Sequence, residues 1–186
     1  MVDGIHIDIN VLKNVNAEKD FRIEKYAYIL KNINKIDVSS SQEFQKAYNY
    51  FFKVRRNKEW RDSYYELMEK AKKEDYSFSD VLYEIYNTTG QVAPSFSSKL
   101  IHSVNPSMPI WDSFVIKNLG IKKREKDDLS KLKEVTYIYN CLQKQMDSFL
   151  KTEKARFYIS EFDKRFLEYS WFSDMKKIDF LIWRTR

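Results

Sequence analysis

The chain has 186 residues, of which 43% are hydrophobic and 16% are aromatic, and its formal net charge is +6. This length and composition exclude an intrinsically disordered protein and predict one domain with a substantial core. The single cysteine, Cys141, excludes a disulfide framework within the chain and an iron–sulfur cluster held by several cysteines. No apolar run approaches the roughly 18 residues of a membrane span, and no secretion signal is recognisable, so we expect a cytoplasmic protein without a membrane partner.

Only three glycines and three prolines occur in the whole chain, which favours an all-α fold of several packed helices. Alternating apolar and polar residues at positions 5–10 are typical of a short strand or an ordered arm. Capping boxes are predicted at Ser40 with Glu43 and at Ser77 with Asp80. Apolar residues at helical spacing predict helices at about 18–31, 42–56, 59–73, 77–88, 96–104, 113–119, 129–150, 153–169 and 174–183.

We expect a single domain over residues 1–186. Its central segment, at about 79–120, lies between N-terminal helices (18–76) and C-terminal helices (128–186). This segment contains all three prolines and two of the three glycines. Ser95 is the expected N-cap of a helix that ends near Val104, and Asp112 is the expected N-cap of the next. A short loop between them would bring Lys99 and Asp112 toward a common cleft.

The residue types leave few kinds of catalytic chemistry open. Two histidines and one cysteine are too few for the usual zinc patterns, so we expect no metal site. No glycine-rich phosphate loop, nucleophile elbow or dinucleotide fingerprint is present, so we expect no cofactor. Lys99 would act as a nucleophile only if its pKa, ordinarily about 10.4, fell through burial or nearby positive potential. Asp112 would then accept a proton or stabilise a cation, although two plain helix caps would give the same pattern.

One segment resembles the active-site region of the helix-hairpin-helix DNA glycosylases, in particular the 8-oxoguanine branch and its small bacterial relatives. Its sequence is SSKLIHSVNPSMPIWDSFVIKNLG, from Ser97 to Gly120. Family members carry a lysine on the second helix of the hairpin and an aspartate that opens the next helix, and Lys99 and Asp112 match these positions. The family's glycine-rich turn corresponds here to TTGQVAPSFSS, which contains one glycine.

The resemblance implies that Lys99 attacks the sugar of a flipped, modified nucleotide and that Asp112 assists the reaction. Trp111 would stack on the extruded base, or it would be a core residue beside the helix cap at Asp112. His102 would tune the lysine or pack as a core histidine. Phe180 and Trp183 would line the pocket wall or belong to the core.

Double-stranded DNA with a modified base is the expected partner, and we expect the protein to be a monomer. The basic sequence KVRRNKEWR, from Lys53 to Arg61, would contact phosphates or form a solvated helix turn. Backbone amides after the hairpin turn would contribute further DNA contacts. The expected DNA-binding residues are Arg55, Arg56, Lys58, Gly90, Ser95, Ser97 and Ser98.

Three functions therefore follow from the sequence. The first is a DNA base-excision glycosylase, with lyase activity, that acts on an oxidised or otherwise modified base through a Schiff-base lysine. The second is a DNA-binding module of the same fold without catalysis, which would bind duplexes in a salt-dependent way but form no covalent adduct. The third is a helical protein-interaction domain, in which Ser95 and Asp112 are only helix caps.

Overall fold

A computed structural model describes residue 7, residues 21–113, residue 116 and residues 128–184. These residues form an all-helical structure, which confirms the predicted fold class. The helices are α1 (Phe21–Asn32), α2 (Gln42–Phe52), α3 (Lys58–Lys73), α4 (Phe78–Thr89), α5 (Pro94–Val104), α6 (Asp128–Leu150), α7 (Glu153–Arg165), the 3-10 helix η1 (Leu167–Tyr169) and α8 (Asp174–Arg184). The strand predicted at 5–10, apart from Ile7, and most of the helix predicted at 113–119 lie outside the described residues.

Helix starts follow the local capping chemistry. At α4 the predicted capping box is confirmed, since the Ser77 hydroxyl accepts from the Asp80 amide and the Asp80 carboxylate accepts from the Ser77 amide. At α2 the predicted cap was wrong by one residue, because Ser41 rather than Ser40 accepts from the amide of Phe44. Ser40 instead donates its hydroxyl to the carbonyl of Asp37, which closes the preceding turn.

Two predicted helices end earlier than expected. Helix α2 stops at Phe52 instead of Arg56, because Lys53 takes a left-handed conformation with a φ of 57° and donates its amide to the carbonyl of Asn49. Residues 54–57 then run outside a helix to Asn57, which caps α3. The helix predicted at 153–169 ends before Phe166, whose ring is buried, and the short helix η1 follows directly after this residue.

The helices pack mainly with their neighbours in sequence. Helix α1 packs on α2, while α3, α4 and α5 pack on one another. Helix α6 packs on α4, α7 and α8, and so joins the central helices to the C-terminal ones. Helix α5 contributes an unusual set of buried side chains, because Ser97, Ser98, His102 and Ser103 are all enclosed. Buried polar groups need hydrogen-bond partners, and each of these four side chains has at least one.

Candidate functional site

A tight turn joins α4 to α5. Helix α4 ends at Gly90, which has a φ of +67° and donates its amide to the carbonyl of Tyr86. A side chain at this φ would be strained, although no atom lies within 4 Å of the position that a Cβ would take. Residues 91–93 then lead into α5, whose first residue is Pro94. Proline suits this position because its missing N–H would have no partner in the helix.

Ser95 does not cap α5, in contrast to the prediction. The N-cap is Ala93, which provides no side-chain hydrogen bond, and Ser95 lies inside the first turn. The carbonyl of Ala93 accepts from the amides of Phe96 and Ser97. The helix therefore begins at Pro94, two residues earlier in the chain than the expected start at Phe96.

Lys99 lies in the second turn of α5 and contacts the end of α2. Its Nζ donates to the carbonyl of Phe52 at 3.0 Å and lies 5.2 Å from the centre of the Phe96 ring. Phe52 is the last residue of α2, where carbonyls have no partner within the helix and carry the negative end of its dipole. The lysine therefore bonds a helix C-terminus and connects α5 to α2.

The electrostatic environment of Lys99 contains two opposing effects. Burial lowers its pKa below the ordinary value, because removal from water disfavours the ammonium form. The negative charges of Asp112 and Asp179 act in the opposite direction. Asp112 thus lies within electrostatic reach of Lys99, and Asp179 is a second carboxylate that the sequence analysis missed.

Hydrogen bonds from several elements fix the loop between α5 and Asp112. The amide of Trp111 donates to Ser98 Oγ at 2.8 Å, which holds the residue next to Asp112 against α5. Three further side chains bond carbonyls of the loop: His102 bonds Met108, Tyr139 bonds Pro109 and Ser173 bonds Pro106. The amide of Ile116 donates to the carbonyl of Asp112 at 2.9 Å, so a helical turn follows Asp112.

His102 is completely buried, and its two hydrogen bonds define its tautomer. Nδ1 lies 2.6 Å from the carbonyl of Met108, which can only accept, so Nδ1 carries the proton. Nε2 then accepts from the hydroxyl of Tyr26, also at 2.6 Å. Burial, reinforced by the charge of Lys176, lowers the pKa of His102 to about 4. This side chain has no exposed surface, and its hydrogen bonds connect α1 to the loop.

An open cleft of about 340 Å³ lies beside the start of α5. Its lining residues come from three places: Arg56, the segment 92–96 and the segment 111–113. Trp111 is only 3% exposed and lies at the inner side of the cleft, whereas Asp112 is half-buried. Lys99 does not line the cleft itself, but it contacts Phe96, which does.

The predicted basic residues differ in their relation to this cleft. Arg55, Arg56 and Lys58 are all exposed, but only Arg56 lines the cleft. The Arg56 guanidinium lies 5.2 Å from the centre of the Phe96 ring and 5.5 Å from that of Trp60. Lys58 forms an ion pair with Asp62 at 2.5 Å on the same helix. Of these three predicted basic residues, Arg56 is thus the one that shares the cleft with Asp112.

Other predicted site residues occupy structural positions. The hydroxyls of Ser97 and Ser98 are buried and donate to the carbonyls of Ala93 and Ser95, so they have no surface with which to contact DNA. Phe180 is buried against Phe162 and Phe166. Neither Phe180 nor Trp183 lines the cleft; the Trp183 ring lies 4.6 Å below the guanidinium of Arg22.

The sequence analysis missed a buried ionic cluster on α8. Lys176 and Asp179 form an ion pair at 2.8 Å, with side chains only 6% and 14% exposed. Lys176 Nζ also lies 4.3 Å from the centre of the Tyr26 ring. The available signal was the i,i+3 spacing of opposite charges at Lys176 and Asp179 within a helix rich in apolar residues.

Within the described residues, no group of histidine, cysteine or acidic side chains has the arrangement of a metal site. The helices in the same part of the chain are too short or too polar to cross a membrane. Comparison with known proteins finds no matching family model, no matching curated protein and no matching solved structure.

Proposed function

We propose that the protein is a DNA base-excision glycosylase with associated lyase activity, acting on an oxidised or otherwise modified base. One observation carries this proposal: Lys99 is partly buried with a lowered pKa, within electrostatic reach of Asp112, whose side chain opens into a cleft. Burial that lowers the pKa of a lysine favours the neutral amine, which is the form that attacks a sugar carbon in Schiff-base chemistry, and a nearby carboxylate can accept the proton that the amine loses. The resemblance of the segment from Ser97 to Gly120 to the glycosylases supports the same assignment.

In the proposed reaction the Lys99 amine forms a bond to the anomeric carbon of a flipped nucleotide. The bond between this carbon and the base breaks, and the base leaves with the bonding electrons and takes up a proton. Asp112 stabilises the positive charge that develops on the sugar and accepts the proton that the amine loses. The second proton of the amine passes to the ring oxygen as the sugar ring opens, which gives an imine. A solvent water then accepts a proton from C2′, the C2′–C3′ double bond forms, and the 3′ phosphate leaves with the electrons of the C3′–O bond, which cleaves the strand.

Arg56 is the residue that we assign to the DNA phosphate next to the cleft. It is exposed, it lines the cleft with Asp112, and it lies over two aromatic rings that restrict its position. An arginine held in this way loses less side-chain entropy when it binds a phosphate. Arg55 adds positive charge at the same corner, whereas Lys58 is paired with Asp62.

A DNA-binding module without catalytic activity is the second candidate. The hydrogen bond from Lys99 to the carbonyl of Phe52 favours it, because this bond gives the lysine a structural role and directs Nζ toward α2. For catalysis Nζ must exchange this carbonyl for the sugar, which requires a local rearrangement when DNA binds. The two candidates thus differ in whether Lys99 ever leaves Phe52.

Borohydride trapping distinguishes the candidates. Duplexes with 8-oxoguanine, an abasic site or unmodified bases are incubated with the wild type, Lys99→Ala, Asp112→Asn and the control Lys46→Ala, which removes an exposed lysine of α2. We expect a covalent complex with the wild type and the control, none with Lys99→Ala, and a strongly reduced yield with Asp112→Asn.

Binding of the same duplexes is measured in parallel by fluorescence anisotropy at two salt concentrations. Salt-dependent binding without trapping would overturn the catalytic proposal in favour of the DNA-binding module. Absence of both would overturn both candidates and leave the protein-interaction domain.

A further inference from the structure

Asp179, a carboxylate of α8, lies within electrostatic reach of Lys99, as Asp112 does. Lys99 of α5 and Lys176 of α8 both approach the last turn of α2: Lys99 Nζ bonds the carbonyl of Phe52, and Lys176 Nζ lies 5.6 Å from the centre of the Phe51 ring. Asp179 is held at 2.8 Å from Lys176 and is nearly enclosed. The two ammonium groups and Asp179 therefore meet at the end of one helix.

We propose that Asp179 is the second carboxylate of the Lys99 site, and that its ion pair with Lys176 sets how much of its negative charge acts on Lys99. Asp179 is a positioning residue in this proposal, since it acts through Lys99 and contacts no substrate. The inference rests on the proposed function only in treating Lys99 as the reacting group.

The other ionisable groups around α5 contribute little charge near neutral pH. Burial raises the pKa of Tyr48 and of Tyr64 far above physiological pH, so both are neutral. His102 is neutral as well, because burial lowers its pKa to about 4. Glu84 of α4 and Lys70 of α3 line a separate groove between those two helices.

Among the described residues, the charged groups that the contacts place near Lys99 are Asp112, Asp179, Lys176 and Arg56. Arg56 lies near the Phe96 ring, at 5.2 Å from its centre, as Lys99 does. Asp112 lines the open cleft, where solvent screens part of its charge, but it still raises the pKa of Lys99 more than Asp179 does. Asp179 and Lys176 are enclosed, so their charges are screened less. The ion pair between Asp179 and Lys176 is thus the enclosed group of charges through which a substitution can change the pKa of Lys99.

Asp179 and Lys176 should have opposite effects when each is removed. Asp179→Asn removes a negative charge, so Lys99 should release its proton at lower pH. Lys176→Met leaves Asp179 without its close partner, so the whole carboxylate charge acts on Lys99 and the proton should be released at higher pH. The double variant Lys176→Met/Asp179→Asn removes both charges and should resemble the wild type.

Lys177 provides a matched control. Its side chain is 5% exposed and forms an ion pair with Asp163 of α7 at 2.7 Å, so it resembles Lys176 in burial and pairing. Its partners Asp163 and Asp174 are different from those of Lys176. Lys177→Met should therefore cost comparable stability without affecting Lys99.

The test is the pH dependence of Lys99 acetylation by acetic anhydride, read from the mass of the peptide that contains Lys99. It uses the full chain without DNA, so its outcome is independent of the trapping experiment. We expect the midpoint for Lys99 to fall by about one pH unit in Asp179→Asn and to rise by a similar amount in Lys176→Met. Lys177→Met and the double variant should stay near the wild-type midpoint.

Circular dichroism verifies that each variant is folded. If Asp179→Asn does not fold, the difference in midpoint between Lys176→Met and the double variant still isolates the effect of Asp179. Equal Lys99 midpoints in Lys176→Met and the double variant would overturn the assignment of Asp179. A shift of the Lys99 midpoint in Lys177→Met as large as that in Lys176→Met would also overturn it.

Discussion

The α2–α3 side of α5 and the α7–α8 region use different aromatic residues, and the difference shows how α5 is held. On the α2–α3 side, Tyr64 donates its hydroxyl to the carbonyl of Phe96, and Tyr48 lies 2.9 Å from the Tyr64 hydroxyl. In the α7–α8 region phenylalanines dominate, and Phe162 lies against Phe166 and Phe180. Tyrosine hydroxyls form directional bonds to the backbone, whereas phenyl rings fill volume. The tyrosine side therefore specifies the position of α5, while the phenylalanine side mainly contributes stability.

The largest loss of stability is expected from a substitution in the phenylalanine-rich α7–α8 region. Phe162 has no exposed surface, so Phe162→Ala leaves a cavity among the neighbouring rings. We expect the free energy of unfolding to fall by about 3–5 kcal/mol, measured by urea denaturation. The control Phe157→Ala removes a ring that is 54% exposed and should change stability by about 0.5 kcal/mol or less. Similar losses in the two variants would contradict the packing role of Phe162.

A second prediction concerns pH and His102, which lies where the two regions meet. Burial lowers its pKa from 6.5 in the unfolded chain to about 4 in the folded one. The unfolded chain binds the additional proton between these values, so stability is complete above pH 6.5 and decreases as the pH falls toward 4. The contribution is about 3 kcal/mol in total, because each pH unit corresponds to about 1.4 kcal/mol.

Urea denaturation across this pH range measures the effect, with His102→Gln as the comparison. Glutamine can donate to the Met108 carbonyl and accept from Tyr26, but it does not titrate. The stability of the variant should therefore depend less steeply on pH in this window. An identical slope in the two proteins would show that other groups, and not His102, cause the acid sensitivity.

The smallest loss of stability is expected from a substitution among the tyrosines on the α2–α3 side of α5. Tyr64 gives its single proton to the carbonyl of Phe96, so Tyr48 must donate in the bond between the two hydroxyls. Tyr48→Phe removes this donor but keeps the ring, and we expect a loss of about 1 kcal/mol in the free energy of unfolding. Tyr50→Phe, at a residue that is 51% exposed, is the matched control and should cost less. A larger loss for Tyr50→Phe would refute the special role of the buried hydroxyls.

The sequence was sufficient to predict the helical class and most helix positions, because these depend on local spacing and caps. In α2 the i,i+4 pattern of Phe44, Tyr48 and Phe52 is visible in the sequence, and all three side chains are buried. The capping box at Ser77 is equally local. The end of α2 was not predictable in this way, because Lys53 has no sequence signal for its left-handed conformation.

The candidate site was less predictable, because its contacts join distant parts of the chain. The proximity of Lys99 to Asp112 could be inferred from a short loop, but its bond to Phe52 spans 47 residues and depends on how α5 packs on α2. The same limit applies to Asp179, whose influence on Lys99 crosses from the last helix. His102 illustrates the opposite case, since the interpretation as a core histidine was among the alternatives and the structure places it there.

The hydrogen-bond chain through His102 also determines how protons can move inside the protein. It runs from the Tyr26 hydroxyl to Nε2 and from Nδ1 to the Met108 carbonyl, which has no proton to pass on. A relay needs a group at its end that can both accept and release a proton, and a backbone carbonyl does only the first. This chain is therefore a dead end for proton conduction. Protons therefore cannot pass between the interior and the solvent through His102, whereas Asp112 lines the open cleft and is accessible to solvent.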